Sequence, residues 1–208
     1  MYRHLPNSLT VFRLVLAGVF FVLLNQYRYP AGPHWILWFS ATIFTLAALT
    51  DWLDGHLARR WKVETVFGRI MDPFCDKVLV LGAFIYLAGP RFVDPLKVEA
   101  GDFLTMASGV YPWMIAVMLA RELLVTGIRD EIEGRGIQFG AKLPGKLKTI
   151  LQLMTIPAII VIVALNLQFE SHRWIAVIRD LLVYTTVVVT VISGVPYVSG
   201  FGRATRGN

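Results

Sequence analysis

Four aspartates are the groups in this chain best placed to do chemistry. Asp51, Asp54, Asp72 and Asp76 make up half of its eight aspartates and sit in an otherwise apolar region. Asp51 and Asp54 are three residues apart and Asp72 and Asp76 four, so on helices each pair projects from one face. A carboxylate at mid-bilayer costs roughly 2.5 to 3.5 kcal/mol, and several together need counter-charges even at interfacial depth. If the short connection between residues 60 and 67 folds the two helices into an antiparallel pair, the four carboxylates meet in one pocket that two divalent cations would neutralise. An all-oxygen ligand set favours Mg²⁺ or Mn²⁺ over zinc, and a paired-metal site stabilises phosphoryl displacement. His56 points off the Asp51 and Asp54 face by helical spacing, and Cys75 reads as a small packing residue.

The residues around the acids fit a nucleotide. Gly55 and Ala58 leave a helix surface without bulk, against which a planar base could lie; close helix packing through small residues is the plainer reading. Arg59 could neutralise a phosphate or simply anchor a helix end. Arg121 falls within an apolar run with Glu122 beside it, where a charge is expensive unless paired or facing water. With Arg129, Lys142, Lys146 and Lys148 it supplies candidates for a second anion pocket. An internal ion pair is the plainer reading of Arg121, and a topological signal that of the lysines. Asn7, Thr10 and Arg13 are placed to contact nucleotide or acceptor from the start of the first helix, or equally to cap and anchor it.

These groups must be held by membrane helices. The 208-residue chain is 56% hydrophobic and only 16% charged, and its mean hydropathy of +0.60 lies outside the usual range for a water-soluble domain. Apolar runs between charged or Pro/Gly-rich breaks predict an all-α membrane protein with six transmembrane helices, about Leu9 to Leu24, Trp35 to Leu57, Pro73 to Ala88, Pro112 to Ile128, Leu147 to Leu165 and Ala176 to Val198. Helices close their backbone hydrogen bonds internally, so strands are not needed. The first run has the flanking charge and length of a signal peptide, but no small-residue cleavage site follows Leu24, and it is read as retained. A single cysteine rules out an internal disulfide. Residues 1–208 read as one domain without repeats.

Lysines and arginines orient the helices. With the N-terminus inside, Arg3, Arg59, Arg60, Lys62, Arg129, Arg135, Lys142, Lys146, Lys148, Arg203 and Arg206 fall on one side, and Arg28, Arg91, Lys97 and Arg173 on the other. That imbalance predicts both termini in the cytoplasm. It makes the net charge of +6 mostly an inner-face charge, suited to anionic lipid headgroups and substrates and not to nucleic acid. The carboxylates then form a cytoplasm-facing di-metal site at the inner ends of helices two and three. The stretch from Arg91 to Ser108 reads as an outer interfacial loop without a role.

Written out, the acidic stretch is Asp51, two residues, Asp54-Gly55, two residues, Ala58-Arg59, eight residues, Gly68, three residues, Asp72, three residues, Asp76. It resembles the signature of the CDP-alcohol phosphotransferase family at every defined position and spacing, a far more specific signal than a short glycine motif. Leu5-Pro6-Asn7-Ser8-Leu9-Thr10 with Arg13, Thr50-Asp51-Trp52-Leu53-Asp54, Asp76-Lys77-Val78, Ala120-Arg121-Glu122-Leu123 with Arg129, and Gly145-Lys146-Leu147-Lys148-Thr149 resemble the bacterial branch of that family that makes phosphatidylglycerophosphate. The last helix is too generic to contribute.

The resemblance implies six transmembrane helices in a bacterial inner membrane, two metal ions, a CDP-diacylglycerol donor and release of CMP. It implies that Asp51, Asp54 and Asp72 are metal ligands, that Asp76 is a ligand and the general base, that Gly55, Ala58, Arg59, Gly68, Asn7 and Thr10 line the donor site, and that Arg121, Arg129, Lys142, Lys146, Lys148 and Arg13 receive an acceptor phosphate. Transfer of the phosphatidyl group to glycerol 3-phosphate, giving phosphatidylglycerophosphate, is the expected reaction. A sibling acting on inositol phosphate, serine or phosphatidylglycerol is the alternative within the family, since the motif describes only the donor half. A divalent-cation transporter is the alternative outside it, opposed by the confinement of all four acids to one end of two helices. Membrane proteins of this size often pair as homodimers, and the sequence leaves that open.

Overall fold

A computed structural model describes residues 5–61, 66–134, 143–165 and 173–206; the side chains of residues 5–7, 51–61, 66, 67, 69, 70, 133, 173 and 201–206 lie outside that description. The described residues form helices joined by turns, with one isolated bridge between Val93 and Met106 in place of a sheet. The helices are α1 (Leu5–Gln26), α2 (His34–Trp61), α3 (Val66–Leu87), α4 (Pro95–Glu99), α5 (Pro112–Gly134), α6 (Leu143–Ala164), α7 (Arg173–Ile192) and α8 (Val195–Arg206).

All six apolar runs are helical, but the helices outrun them. α3 starts at Val66 and keeps Pro73 inside it, α5 continues to Gly134, and α6 starts at Leu143. An apolar run marks the part of a helix in contact with hydrocarbon, while the helix itself continues as charged turns beyond it. Three stretches are long and apolar enough to cross a bilayer, Ser8–Gln26, Leu143–Ala164 and Trp174–Gly200, and the chain is a multi-pass membrane protein. The last apolar run is not one helix. It breaks at Ser193 and Gly194, and α8 restarts with Pro196 in its first turn, where the missing proline N–H has no intrahelical partner to lose.

Successive long helices run in opposite directions. Thr10 near the start of α1 donates to Asp72 on α3, whereas Tyr27, just past its end, packs its ring against Phe92. At that same far end the Tyr29 amide donates to the Arg91 carbonyl, and Arg179 on α7 donates to the Ala107 carbonyl. The segment read as a featureless loop is built there: Asp94 caps α4 by accepting from the Leu96 amide, and buried Ser108 donates to the Leu87 carbonyl. Burial, with the nearby Asp94 charge adding to it, raises the pKa of the Tyr29 phenol above its usual value, so Tyr29 stays neutral at physiological pH.

The interior follows helical spacing. Thr10, Arg13, Ala17, Phe20, Leu24 and Tyr27 form a buried stripe along α1, while Val11, Phe12, Val15, Val19 and Val22 on its other faces are exposed, as expected where the solvent is lipid. α1 packs against both α2 and α3, α2 against α6, and α6 against α7. α2 and α3 meet sparingly among the described residues, and the ends at which they are expected to pair, residues 51–67, have side chains outside that description. Phe20 sits between Phe21 and Phe44, with centroids 5.5 Å away in each case, and Phe21 stacks on Tyr86 at 5.3 Å. Gly82 makes room for that stack, because a Cβ there would lie 2.4 Å from the Phe21 ring. Buried polar side chains tie α6 to its neighbours: Gln152 donates to Thr190 at 3.3 Å, and the Thr155 and Thr186 hydroxyls lie 2.8 Å apart.

Phe44 is fully buried in this aromatic cluster. Phe44→Ala is expected to destabilise the bundle by about 3 to 5 kcal/mol, read as a lowered thermal-unfolding midpoint in detergent. An unchanged midpoint would mean the cluster does not hold α1 to α2.

Candidate functional site

The site is built on α3. Gly68, Asp72 and Asp76 recur at intervals of four, so all three lie along one helical face; Gly68 is buried and both aspartates are half-buried. The Thr10 hydroxyl donates to Asp72 Oδ1 at 2.7 Å, fixing that carboxylate against α1. Asp51 and Asp54 lie on α2 beyond Ala48, which lines the same cavity as Asp76. Their helix therefore runs toward this end of the bundle, although the side chains of Asp51, Asp54, Gly55, Ala58 and Arg59 lie outside the described residues, as does that of Asn7. Lys142 lies outside them entirely.

Asp76 and Lys77 form one wall of a cavity of about 820 Å³ between α3, α5 and α6. Lys77 Nζ crosses it to donate to Thr126 Oγ1 on α5 at 2.7 Å. Arg121, Arg129, Lys146 and Lys148 line the opposite walls. Among the described residues of the lining, five cationic side chains face three carboxylates, those of Asp76, Glu122 and Asp130, a surplus of positive charge that suits an anionic ligand. Apolar residues such as Val80, Leu81, Ile150 and Leu153 complete the lining.

Glu122 organises the cations. It is buried, pairs closely with Lys148 Nζ, and accepts from Arg121 Nη1 at 3.3 Å. Arg121 is thus in an internal ion pair and at the same time on a cavity wall. Lys148 is buried, which a purely topological lysine would not be; Lys146 is exposed at the rim. Arg13 is buried on α1 and does not line this cavity.

Tyr197 on α8 was not visible to sequence reasoning. It is 1% exposed, and its ring centroid lies 5.9 Å from the Arg121 guanidinium carbon and 5.7 Å from that of Arg129. Its hydroxyl accepts from Arg129 Nη2 at 3.4 Å. A tyrosine at a membrane-helix end ordinarily reads as an interfacial anchor, and no local signal marks this one as buried. Lys77 was more accessible, being adjacent to Asp76. The Nε donors of Arg121 and Arg129 are buried without a hydrogen-bond partner, and such orphaned donors at a cavity wall call for an anionic ligand.

Over residues 3–192 the chain matches the CDP-alcohol phosphatidyltransferase family. The chain belongs to that family. This family member is 32% identical over 203 residues to a CDP-diacylglycerol--glycerol-3-phosphate 3-phosphatidyltransferase of Bacillus subtilis (strain 168), covering 94% of each chain. It is 34% identical over 159 residues to a protein of the same name from Cereibacter sphaeroides, covering 75% of this chain and 62% of that one. It is 27% identical over 199 residues to one from Haemophilus influenzae, covering 95% and 92%. Membership makes it a phosphatidyltransferase and sets aside the transporter alternative.

In this family member Glu122 is the anion that two buried cations share. Glu122→Gln removes it and strands Lys148 in a nearly dry wall, at an expected cost of about 3 kcal/mol. Thermal unfolding in detergent reads that loss, and a midpoint equal to wild type would show that Lys148 needs no partner.

Proposed function

We propose that this enzyme transfers the phosphatidyl group of CDP-diacylglycerol to glycerol 3-phosphate. One observation carries the reading: a single cavity has Asp76 on one wall and Arg121, Arg129, Lys146 and Lys148 on the others. A base must reach the acceptor's hydroxyl while cations hold its phosphate a few ångströms away, and this cavity supplies both. The curated relatives carry the name of that reaction over nearly their whole length.

Asp51, Asp54, Asp72 and Asp76 would hold two divalent cations, Mg²⁺ or Mn²⁺. The described part of the set fits this role, because Asp72 and Asp76 form an all-oxygen pair one turn apart, with Asp72 oriented by Thr10. When bound, such a pair stabilises charge on the pyrophosphate and its leaving group. The remaining work belongs to the chain. Arg121, Arg129 and Lys148 fix the acceptor's phosphate, and Asp76 takes the proton of its hydroxyl as that oxygen attacks the phosphorus attached to diacylglycerol. The bond from that phosphorus to CMP breaks, and CMP leaves. A carboxylate near its ordinary pKa of about 4 is a weak base toward an alcohol, so most of the acceleration comes from placed charge and orientation.

Val80, Leu81, Ile150 and Leu153 extend the cavity with apolar surface for the donor's acyl region. In this reading residues 1–208 form one domain, and α1, α2, α3, α5, α6 and α7 all cross the bilayer. The cavity then faces the cytoplasm at the inner membrane, where a water-soluble acceptor is available.

Purified protein in detergent, given CDP-diacylglycerol and Mg²⁺, is expected to release CMP with glycerol 3-phosphate and not with inositol phosphate, serine or phosphatidylglycerol; turnover with another of these would move the acceptor assignment to it. Asp76→Asn should lower kcat at least about 100-fold, the loss typical of a general base. Arg129→Ala should raise KM for glycerol 3-phosphate about 10-fold, as expected for a lost charged hydrogen bond, with KM for the donor little changed. Equal effects on both substrates would count against an acceptor-phosphate role for Arg129.

A further inference from the structure

Arg121 and Arg129 are eight residues apart on α5, about 12 Å along its axis, and one side chain serves both. Each guanidinium carbon lies within 6 Å of the Tyr197 ring centroid, the range of a cation–π contact, and Arg129 also donates to the Tyr197 hydroxyl. The packing around this contact is close. A Cβ on Gly145 would come 3.3 Å from the Tyr197 hydroxyl, and one on Gly194 would come 3.3 Å from Arg121 Cγ. The turn at Gly194 that separates α8 from α7 is what brings Tyr197 back over the cavity.

The choice of an aromatic ring matters electrostatically. A carboxylate in the same place would hold both arginines but cancel the charge an incoming anion needs. A ring face attracts the guanidinium groups through its quadrupole and leaves their full positive charge in the cavity. Arg121 is secured on its other side by Glu122, and both arginines retain Nε donors without a partner. Held in this way, the two are aimed and keep donors free for an incoming anion.

We infer that Tyr197 is the positioning residue of the acceptor site, holding Arg121 and Arg129 ready for the dianion of a phosphate monoester. It touches the arginines and acts on the acceptor through them. This rests on the acceptor reading above, and the two can fail separately.

The test is steady-state CMP release by wild type, Tyr197→Phe and Tyr197→Leu with glycerol 3-phosphate and CDP-diacylglycerol varied in turn. Tyr197→Phe keeps the ring and loses the long hydrogen bond to Arg129, so KM for glycerol 3-phosphate should rise about two- to threefold. Tyr197→Leu loses both cation–π contacts and should raise that KM about 10-fold or more. In both variants kcat and KM for CDP-diacylglycerol should stay within about twofold of wild type, because transfer itself does not pass through Tyr197. An acceptor KM unchanged in Tyr197→Leu would overturn the inference. So would a joint shift of kcat and both KM values, the mark of a merely structural side chain. Should Tyr197→Leu fail to fold, the Phe variant decides alone: a selective rise supports the role, and wild-type constants refute it. Wild type failing to use glycerol 3-phosphate at all would sink the acceptor reading first, and this inference with it.

Discussion

A buried charge must find a partner, and Glu122 is where that constraint is met most tightly. Without its carboxylate, Lys148 and Arg121 would be two cations facing each other inside a helical bundle with little water to screen them. With it, α5 and α6 are bridged across the cavity, and among the described residues of the lining cations still outnumber carboxylates. The electrostatics of the acceptor side follow from this arrangement. A buried pair of this kind is a poor source of net stability, because desolvation consumes most of the Coulomb attraction. Its use here is to fix where charge sits.

The same constraint explains the division of labour between the two ends of the molecule. At the far end, Arg179, Asp180, Asp94 and Ser108 satisfy one another or nearby backbone groups and close over a short built loop. At the cavity end, polar groups are left facing a shared space. One end spends its polar contacts on holding helices together, the other on holding them apart around a ligand.

Much of this was readable from residues alone. The six long helices appear as six apolar runs, since hydrocarbon exposure imposes a length and a composition that a sequence displays directly. The four-residue spacing of Asp72 and Asp76 predicted a common helical face, and both lie on α3. Arg121 stood out because an arginine in an apolar run demands an explanation, and the structure supplies both a paired partner and a place on the cavity wall. Helix ends were harder to read, since beyond the hydrocarbon the pattern that marks a helix gives way to charged turns, which is why Lys146, just outside the predicted run, lies on α6. The pairing of α2 with α3 at their acidic ends falls on residues outside the structural description, and within it both helices pack on α1. Tyr197 could not have been found, because its role depends on the helix break at Gly194 and on two arginines some seventy residues upstream.

The hydrogen bonds from Gln152 to Thr190 and between Thr155 and Thr186 have a mechanical consequence. They make α6 and α7 a stiff plate, with α5 packed on α7 and α8 on α5, while α1 fastens α2 and α3 into a second plate. The plates share a broad contact along α2 and α6 and only sparse ones where α3 meets α5 and α6. The cavity sits on that sparse seam. Among the described residues the width of the cleft is therefore held by few contacts, the Lys77 to Thr126 hydrogen bond across it among them, whereas the α2–α6 seam is broadly packed.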